Sequence, residues 1–393
     1  MKIAIIGQGY VGLALANAAS YAGHNVIGFD TNPDVIENIK NQISKSNVLN
    51  YSNYLPTNNE AHIKDLDVYI IAVPTPLDEN NLPDISHLKE ASKLIAVSAT
   101  NGGLVINEST SYPGTLREIV ITQIGNLNKA NFLYVAAPER IDPANTQWSI
   151  KNTPRVIAGV DEASTEAASK FYESICDQII VVSSPEVAEA AKLFENTFRQ
   201  VNIALVNELA QISDKLKISV KEVIEAASTK PFGFMPFNPG LGVGGHCIPI
   251  DPIYLAYKAN SIGATSAFID HASKVNQQMP FYVIERIKNL LGNKLNGKKL
   301  CIVGISYKAN VSDLRQSPSL VLWKELEKQG AKVDFHDEIV DSFEGIKSSN
   351  LGENAFDLAI VAVRHSSLDI NLLKKSAKII FDCTGSIDDS YSF

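Results

Sequence analysis

A chain of 393 residues is long enough for two or three domains with separate cores, and its 45% hydrophobic and 20% charged content is that of an ordinary globular α/β protein. The net charge of −8, with no basic run, argues against nucleic acid or an anionic membrane as a partner, so an anionic substrate has to be met by local groups. Four cysteines (Cys176, Cys247, Cys301 and Cys383) without a C-x-x-C pair fit a reducing compartment and offer no metal framework.

The chain opens on a short apolar strand, Ile3 to Ile6, that runs into Gly7-Gln8-Gly9-Tyr10-Val11-Gly12 and then an apolar helix, Leu13 to Tyr21. Gly7 allows a tight turn, Gly9 lets a pyrophosphate lie against the backbone, and Gly12 permits close helix–strand packing. The helix N-terminus, with Tyr10 and Val11 in it, offers free N–H groups and a positive dipole end to phosphates. A second strand, Asn25 to Phe29, ends in Asp30. An acid there binds the ribose hydroxyls of NAD and repels the 2′-phosphate of NADP; the alternative is an ordinary turn residue. Lys2, the apolar run and Ala16-Asn17-Ala18 resemble a signal peptide, but Gly7-Gln8-Gly9 breaks the run and cleavage after Ala18 would delete the cofactor strand. No later segment has the roughly 18 consecutive apolar residues of a membrane span, so the sequence predicts a soluble cytoplasmic protein.

Further strands are predicted at 67–73, 103–107, 132–136, 154–159 and 178–182, alternating with amphipathic helices. This is the pattern of a doubly wound parallel sheet, and it delimits a first domain at 1–183. Ligands of such sheets bind at the carboxyl ends of the strands. Val73-Pro74-Thr75-Pro76, Glu108-Ser109-Thr110 and Ala137-Pro138-Glu139-Arg140 follow three of them. Any one is readable as a turn; together with the glycine loop they form the rim of a cleft.

An unbroken helical pattern runs from Ser184 to about Leu216, with Pro185 in its first turn, for a length of roughly 50 Å. It opens a region, 184–292, that links domains and supplies a dimer interface. Lys192 and Asn196 lie four apart on one face, which spacing alone reads first as a solvated polar face. Next comes a Gly/Pro-rich loop whose Gly240, Gly242, Gly244 and Gly245 lead to Cys247 and, four residues on, Asp251. Glycines let a backbone approach a ligand, a thiol takes up an aldehyde covalently, and a nearby carboxylate orders water. The plain reading is a buried cysteine in a turn. A second helix is predicted at about 268–291. The strand–helix pattern then restarts, with strands at 299–304, 331–335, 356–363 and 378–382, giving a Rossmann-like domain at 293–393 without a dinucleotide fingerprint. Lys308, Asp313 and Arg315 sit just past its first strand, where this fold places ligands.

Taken in order, Gly7/Gly9/Gly12, Val73-Pro-Thr-Pro76, Glu108-Ser-Thr110, Pro138-Glu139, Lys192-x-x-x-Asn196, Gly244-Gly-His-Cys247-x-Pro-x-Asp251 and Lys308-x-x-x-x-Asp313-x-Arg315-x-Ser-Pro318 make the whole chain resemble the UDP-glucose/GDP-mannose dehydrogenase family. The resemblance implies two Rossmann-like domains joined by a long central helix and a helical dimerisation region. It implies oxidation of a sugar C6 alcohol to the carboxylate with two NAD⁺, without release of the aldehyde. In that chemistry Cys247 forms a thiohemiacetal and then a thioester. Lys192 and Asn196 serve the first oxidation, Thr110 and Glu139 order water, and Asp251 with Glu139 positions the hydrolytic water. The same resemblance points Gly7, Gly9, Tyr10, Val11, Gly12, Asp30, Val73, Pro74, Thr75, Thr110 and Arg315 to the cofactor. It points Glu139, Arg140, Lys192, Asn196, Gly244 and Lys308 to the substrate, leaves His246 as a loop residue, and implies no metal.

Pro138-Glu-Arg-Ile-Asp-Pro143-Ala-Asn145 and Cys247-Ile-Pro-Ile-Asp251-Pro look like the branch acting on UDP-N-acetylhexosamines, with UDP-N-acetylglucosamine expected first and UDP-N-acetylmannosamine next. A polysaccharide or O-antigen pathway would follow. Two departures stand out. Val35 occupies a position where the family often carries a basic residue, which would loosen NAD binding, and the stretch 41–62 is short. Two rival readings remain at this point: a one-step hydroxyacid or alcohol dehydrogenase, and a catalytically silent NAD-binding scaffold.

Overall fold

The computed structural model describes residues 1–45, 53–142 and 145–393; the expectations placed on Pro143 and on part of the stretch 41–62 fall outside the described residues. The chain divides into two compact units, Met1–Glu195 with Ile253–Ala264, and Asn196–Pro252 with Thr265–Phe393.

The first unit opens with β1 (Lys2–Ile6), α1 (Tyr10–Tyr21), β2 (Asn25–Phe29), α2 (Pro33–Lys45), β3 (Tyr54–Thr57), β4 (Val68–Ile71), α3 (Ser86–Ser98) and β5 (Gly103–Asn107). A helical segment follows whose first part, Leu116–Ile121, is π-helical and whose second is α4 (Thr122–Leu127). Then come β6 (Phe132–Ala136), β7 (Arg155–Gly159), α5 (Glu162–Tyr172), β8 (Ile179–Val181) and the start of α6 (Pro185–Leu216). The strands form one sheet in the order β3-β2-β1-β4-β5-β6-β7-β8. The order reverses at β1, whose carboxyl end therefore sits at the switch point where such sheets bind ligands. Helices cover both faces: Ile3, Ile5, Ile70 and Ile106 pack with Leu15 and Phe171 on one, Ala4, Ile71 and Val105 with Leu88 and Ile95 on the other. Burial on both faces is why these strands read as unbroken apolar runs rather than alternating ones.

The second unit takes the rest of α6, α7 (Val220–Ser228), the cysteine loop and the first residues of α8 (Asp251–Ser261). It continues with α9 (Ala267–Leu290), β9 (Lys299–Val303), α10 (Pro318–Lys328), β10 (Lys332–His336), the short pair β11 (Ser342–Phe343) and β12 (Ile346–Lys347), β13 (Leu358–Val361), α11 (Ile370–Ser376), β14 (Ile380–Asp382) and β15 (Tyr391–Ser392). Its parallel sheet runs β10-β9-β13-β14-β15, with Val283, Ile284 and Ile287 of α9 in its core. Two Rossmann-like sheets and a long helix were expected, and they are present.

Several details differ from expectation. α1 begins at Tyr10, not Leu13, because Gly9 already serves as its cap. The first sheet is not wholly parallel: β7 runs antiparallel to β6, and no helical crossover occurs among the described residues of the connection between them. β3 was not anticipated, since Pro56 breaks the strand signal; the strand lies at the sheet edge, where proline is tolerated. The strands expected at 67–73 and 356–363 are trimmed to Val68–Ile71 and Leu358–Val361, their outer residues serving as loop. Neither α7 nor α8 was foreseen, and α8 begins at Asp251 itself.

Candidate active site

In the first unit the glycine turn has the shape a dinucleotide needs. Gly7 has φ +94°, and a Cβ there would lie 2.4 Å from the Ala72 carbonyl oxygen; at Gly12 it would lie 1.8 Å from the Gly7 oxygen. Over Gly9, by contrast, a Cβ would meet nothing, so the one open glycine is the one expected to face phosphate. No side chain caps α1, and Tyr10 at its start is exposed. Asp30 stands at the end of β2, where its carboxylate accepts from the Gln8 amide at 2.8 Å and the Asn32 amide at 2.9 Å. The residues present fit NAD: an open backbone turn, an uncapped helix end and a fixed acid at ribose position.

Gln8, which sequence reasoning passed over as a spacer, is buried. Its Nε2 donates to the carbonyls of Ile5 (2.9 Å) and Gly7 (3.1 Å), and its Oε1 accepts from Tyr54 Oη at 2.7 Å. It thus ties the glycine turn to the edge strand β3.

The three strand-end motifs are joined to one another. Thr75 Oγ1 donates to the Thr110 carbonyl (2.7 Å), and Ser109 Oγ to the Val73 carbonyl (2.8 Å). The Glu139 amide donates to the Glu108 carbonyl at 3.3 Å, and the buried Glu139 carboxylate accepts from the Ile141 amide. Pro74 is exposed beside them. Beneath them lies a buried network that the sequence did not disclose. Glu108 accepts from Tyr172 Oη at 2.5 Å and from Arg155 Nη1 at 3.3 Å, and the guanidinium sits over the Tyr172 ring. Burial pushes the Glu108 carboxyl up, although Arg155 and Tyr172 pull it back. Burial would lower Arg155, but the pull of Glu108 prevails and keeps it cationic. Arg140 is engaged within the unit: it pairs with Glu195 at 2.7 Å and donates to the Pro154 carbonyl at 2.7 Å.

Lys192 and Asn196 stand one turn apart on α6, both half-buried, beside the buried Leu193 and Thr197. In the second unit Asn196 Nδ2 donates to Asp251 Oδ2 at 2.5 Å, and Asp251 is only 3% exposed. Cys247 is exposed, which overturns the plain reading of a buried structural thiol. Its carbonyl accepts from the Asp251 amide at 2.9 Å, so thiol and carboxylate flank the start of α8. The glycines before it have an unexpected role. Added Cβ atoms at Gly244 and Gly245 would strike Tyr307 and the Gln316 carbonyl, and one at Gly242 the Asn276 carbonyl. These positions let the loop lie against the chain's own 307–318 segment, where the Gly245 amide donates to the Arg315 carbonyl at 2.9 Å; only at Gly240 is the space open. Arg315 grips Asp313 through two nitrogens and interacts electrostatically with Cys247. Burial and then the Arg315 charge push the His246 imidazole down, so it stays neutral near pH 7.

Lys308 lies half-buried in the loop after β9. That loop is pinned by the Ile305 amide to Asp337 Oδ2 (2.9 Å), by Ser306 Oγ to the Lys308 carbonyl (2.9 Å), and by the Asn310 amide to His365 Nδ1 (2.9 Å). His365 Nε2 in turn faces Asp337 at 3.2 Å. Burial opposes ionisation of Asp337, but His365 and three backbone amides hold it down to about 2. Asp337, Glu338 and His365 are close enough to resemble ligands of an ion; the hydrogen bonds of Asp337 and His365 account for that closeness.

The three domain models of the UDP-glucose/GDP-mannose dehydrogenase family match in order: the NAD binding domain over residues 1–176, the central domain over 186–278 and the UDP binding domain over 301–389. Protein CapL of Staphylococcus aureus is 36% identical, covering 98% of this chain and 96% of its own. The UDP-N-acetyl-D-glucosamine 6-dehydrogenase of Salmonella typhi is likewise 36% identical, covering 97% and 95%. The solved structure of a UDP-D-ManNAc dehydrogenase from Pyrococcus horikoshii superposes with a TM-score of 0.86 at 30% identity, covering 100% of this chain and 97% of that one. With all three family domains matched in order and an open glycine turn that fits the dinucleotide, the chain belongs to the UDP-glucose/GDP-mannose dehydrogenase family and is an NAD-dependent dehydrogenase.

Proposed function

We propose that the protein oxidises the C6 alcohol of a UDP-N-acetylhexosamine, UDP-N-acetylglucosamine first, to the carboxylate in two steps without releasing the aldehyde. The observation that carries this reading is an exposed Cys247 beside a buried Asp251 that is already hydrogen-bonded to Asn196. NAD⁺, when bound, supplies the hydride acceptor. Gly7, Gly9, Tyr10, Val11 and Gly12 would hold its pyrophosphate and Asp30 its ribose, with Val73, Pro74, Thr75, Thr110 and Arg315 completing its contacts. Arg140, Gly244 and Lys308 would bind the UDP-sugar, Arg140 sharing its guanidinium with Glu195.

Lys192 and Asn196 donate to the C6 oxygen as negative charge develops on it, and preorganised donors of this kind contribute on the order of 3 kcal/mol each. Water ordered by Thr110 and Glu139 carries the hydroxyl proton away. The Cys247 sulfur then adds to the aldehyde carbon while the carbonyl oxygen takes a proton, giving a thiohemiacetal. Its oxidation removes the hydrogen on carbon as hydride and the hydroxyl proton, leaving a thioester. Water deprotonated by Asp251 and Glu139 attacks that carbon, the C–S bond breaks, and the sulfur leaves as thiol after taking up a proton.

The Salmonella relative supports the glucosamine epimer, and the Pyrococcus structure supports the mannosamine epimer as the second reading. Assaying the purified protein by NADH formation on UDP-N-acetylglucosamine, UDP-N-acetylmannosamine and UDP-glucose separates them. The expected result is a kcat/KM about tenfold or more higher on UDP-N-acetylglucosamine. A higher value on the mannosamine epimer transfers the assignment to it, and no NADH with any UDP-sugar leaves the silent NAD-binding scaffold. A polysaccharide or O-antigen pathway remains the expected setting. A homodimer is the expected assembly, since α6 leaves Phe194, Phe198, Leu205, Ile212 and Leu216 exposed. Among the described residues no helix is long and apolar enough to cross a membrane, and the cytoplasm remains the expected compartment.

A further inference from the structure

We propose that Glu189 is a positioning residue that docks the 110–116 segment onto α6, holding Thr110 and Lys192 in register, and that the docking loosens as pH rises. The proposal rests on the dehydrogenase reading for the roles of Thr110 and Lys192; the docking itself does not.

Glu189 lies on α6 one turn before Lys192 and is 2% exposed. Its Oε2 accepts from the Gly114 amide at 2.6 Å and its Oε1 from the Leu116 amide at 2.9 Å. One carboxylate therefore fastens the end of the segment that begins at Thr110, itself fixed through its carbonyl to Thr75. Gly114 has φ +102°, a backbone conformation that glycine adopts without strain, and in it the Gly114 amide points at Glu189.

The charged and titratable groups around Glu189 do not neutralise it. On its own helix Glu186 is paired with Arg117 at 2.8 Å; on the 116–127 helical segment Glu118 is paired with Lys258 of α8 at 2.6 Å; Tyr112 lies in the docked segment under Lys258. Arg117 and Lys258 are thus committed to other carboxylates, and Lys192, one turn on along α6, is not among the groups that shift Glu189. Burial pushes the Glu189 carboxyl up to about 7; the Gly114 and Leu116 amides oppose this, while Glu186 and Glu118 add to it. The sign follows by linkage. A carboxyl raised in the docked state and ordinary when solvated stabilises docking while neutral, and that stabilisation fades as pH rises through about 7.

Hydrogen–deuterium exchange on the unmodified protein, corrected for the intrinsic pH dependence of exchange, reads the docking without substrate. Protection of the Gly114 and Leu116 amides is expected to fall about tenfold between pH 6 and pH 8, the change that linkage gives for this displacement. Equal protection at the two pH values overturns the switch. Glu189→Gln, which cannot ionise, should abolish the difference, and an undiminished difference in that variant overturns the assignment to Glu189. In turnover, the ratio of parent to variant kcat should fall about threefold or more from pH 6 to pH 8 while the KM ratio stays constant. A kcat ratio flat across that range reduces Glu189 to a structural residue. If the parent forms no NADH with any UDP-sugar, the dehydrogenase reading fails, while the exchange measurement still decides the docking.

Discussion

Cys247 differs from the other thiols of the chain in its surroundings. Burial pushes Cys176, Cys301 and Cys383 up and away from ionisation, whereas Cys247 is exposed on a fixed loop near a guanidinium. The thiolate is the nucleophile, so the exposed Cys247 is the thiol that the proposed covalent chemistry would use. Cys247→Ser should bind NAD and sugar nucleotide as before and stall after the first oxidation or at a sluggish ester; full activity would remove the covalent mechanism. Asp30, held by two backbone amides, should give a preference for NAD⁺ over NADP⁺, and equal kcat/KM for the two cofactors would contradict its role. Glu108 tests a different property. It and Arg155 are almost fully buried, so Glu108→Gln strands a cation in the core and should cost about 3–5 kcal/mol, read as a lower urea midpoint. Removing the exposed Glu90–Lys93 pair should change stability by no more than about 1 kcal/mol. If the two losses are similar, the buried network is not stabilising the strand ends.

At the scale of elements, what was legible depended on how local the signal was. The strand–glycine–helix opening and the long α6 follow from periodicity and from glycine and proline placement within a few residues, and both are present. α8 was missed although Asp251-Pro252 is a sound helix start, because Asp251 was weighed only for its chemistry. The antiparallel β7 was missed because strand direction depends on the path of a connection, which no local pattern encodes. Glu108 and Arg155 were missed for the same reason: they are 47 residues apart, and neither carries a local mark of its partner. For α6 the spacing left Lys192 and Asn196 open between a solvated face and a working one. Both are half-buried, and Asn196 is bonded to Asp251, which is not what a solvated face provides. Lys192→Ala should therefore cut kcat by about a hundredfold and change KM by no more than about threefold, the signature of a contact made mainly in the transition state. A kcat within about twofold of the parent would place Lys192 outside the chemistry.

Across the whole molecule, one structural device appears twice with different outcomes. In the first unit the acid after the second strand, Asp30, accepts from the amide that follows Gly7 and remains half-exposed for a ribose. In the second unit Asp337 accepts from the amide that follows Gly304 in the same way, but it is buried and saturated by His365 and further amides. The two units therefore share a sheet and a turn, and only the first leaves its acid free for a dinucleotide. This difference was legible in part, since the second unit lacks the glycine fingerprint; the role of His365 was not, because it lies 28 positions beyond the acid it closes off. Among the described residues only the first unit carries a dinucleotide turn, so the proposed four-electron oxidation would use that site twice for each sugar, NADH leaving and NAD⁺ returning while the sugar stays on Cys247. The expected stoichiometry is two NADH per uronate formed, measured by exhausting a known amount of UDP-N-acetylglucosamine with excess NAD⁺ and quantifying the product by mass spectrometry. A ratio of one, with free aldehyde in solution, would make the protein a one-step alcohol dehydrogenase. That outcome would leave the fold and the NAD turn as they stand, and it would remove the catalytic roles proposed for Cys247 and Asp251.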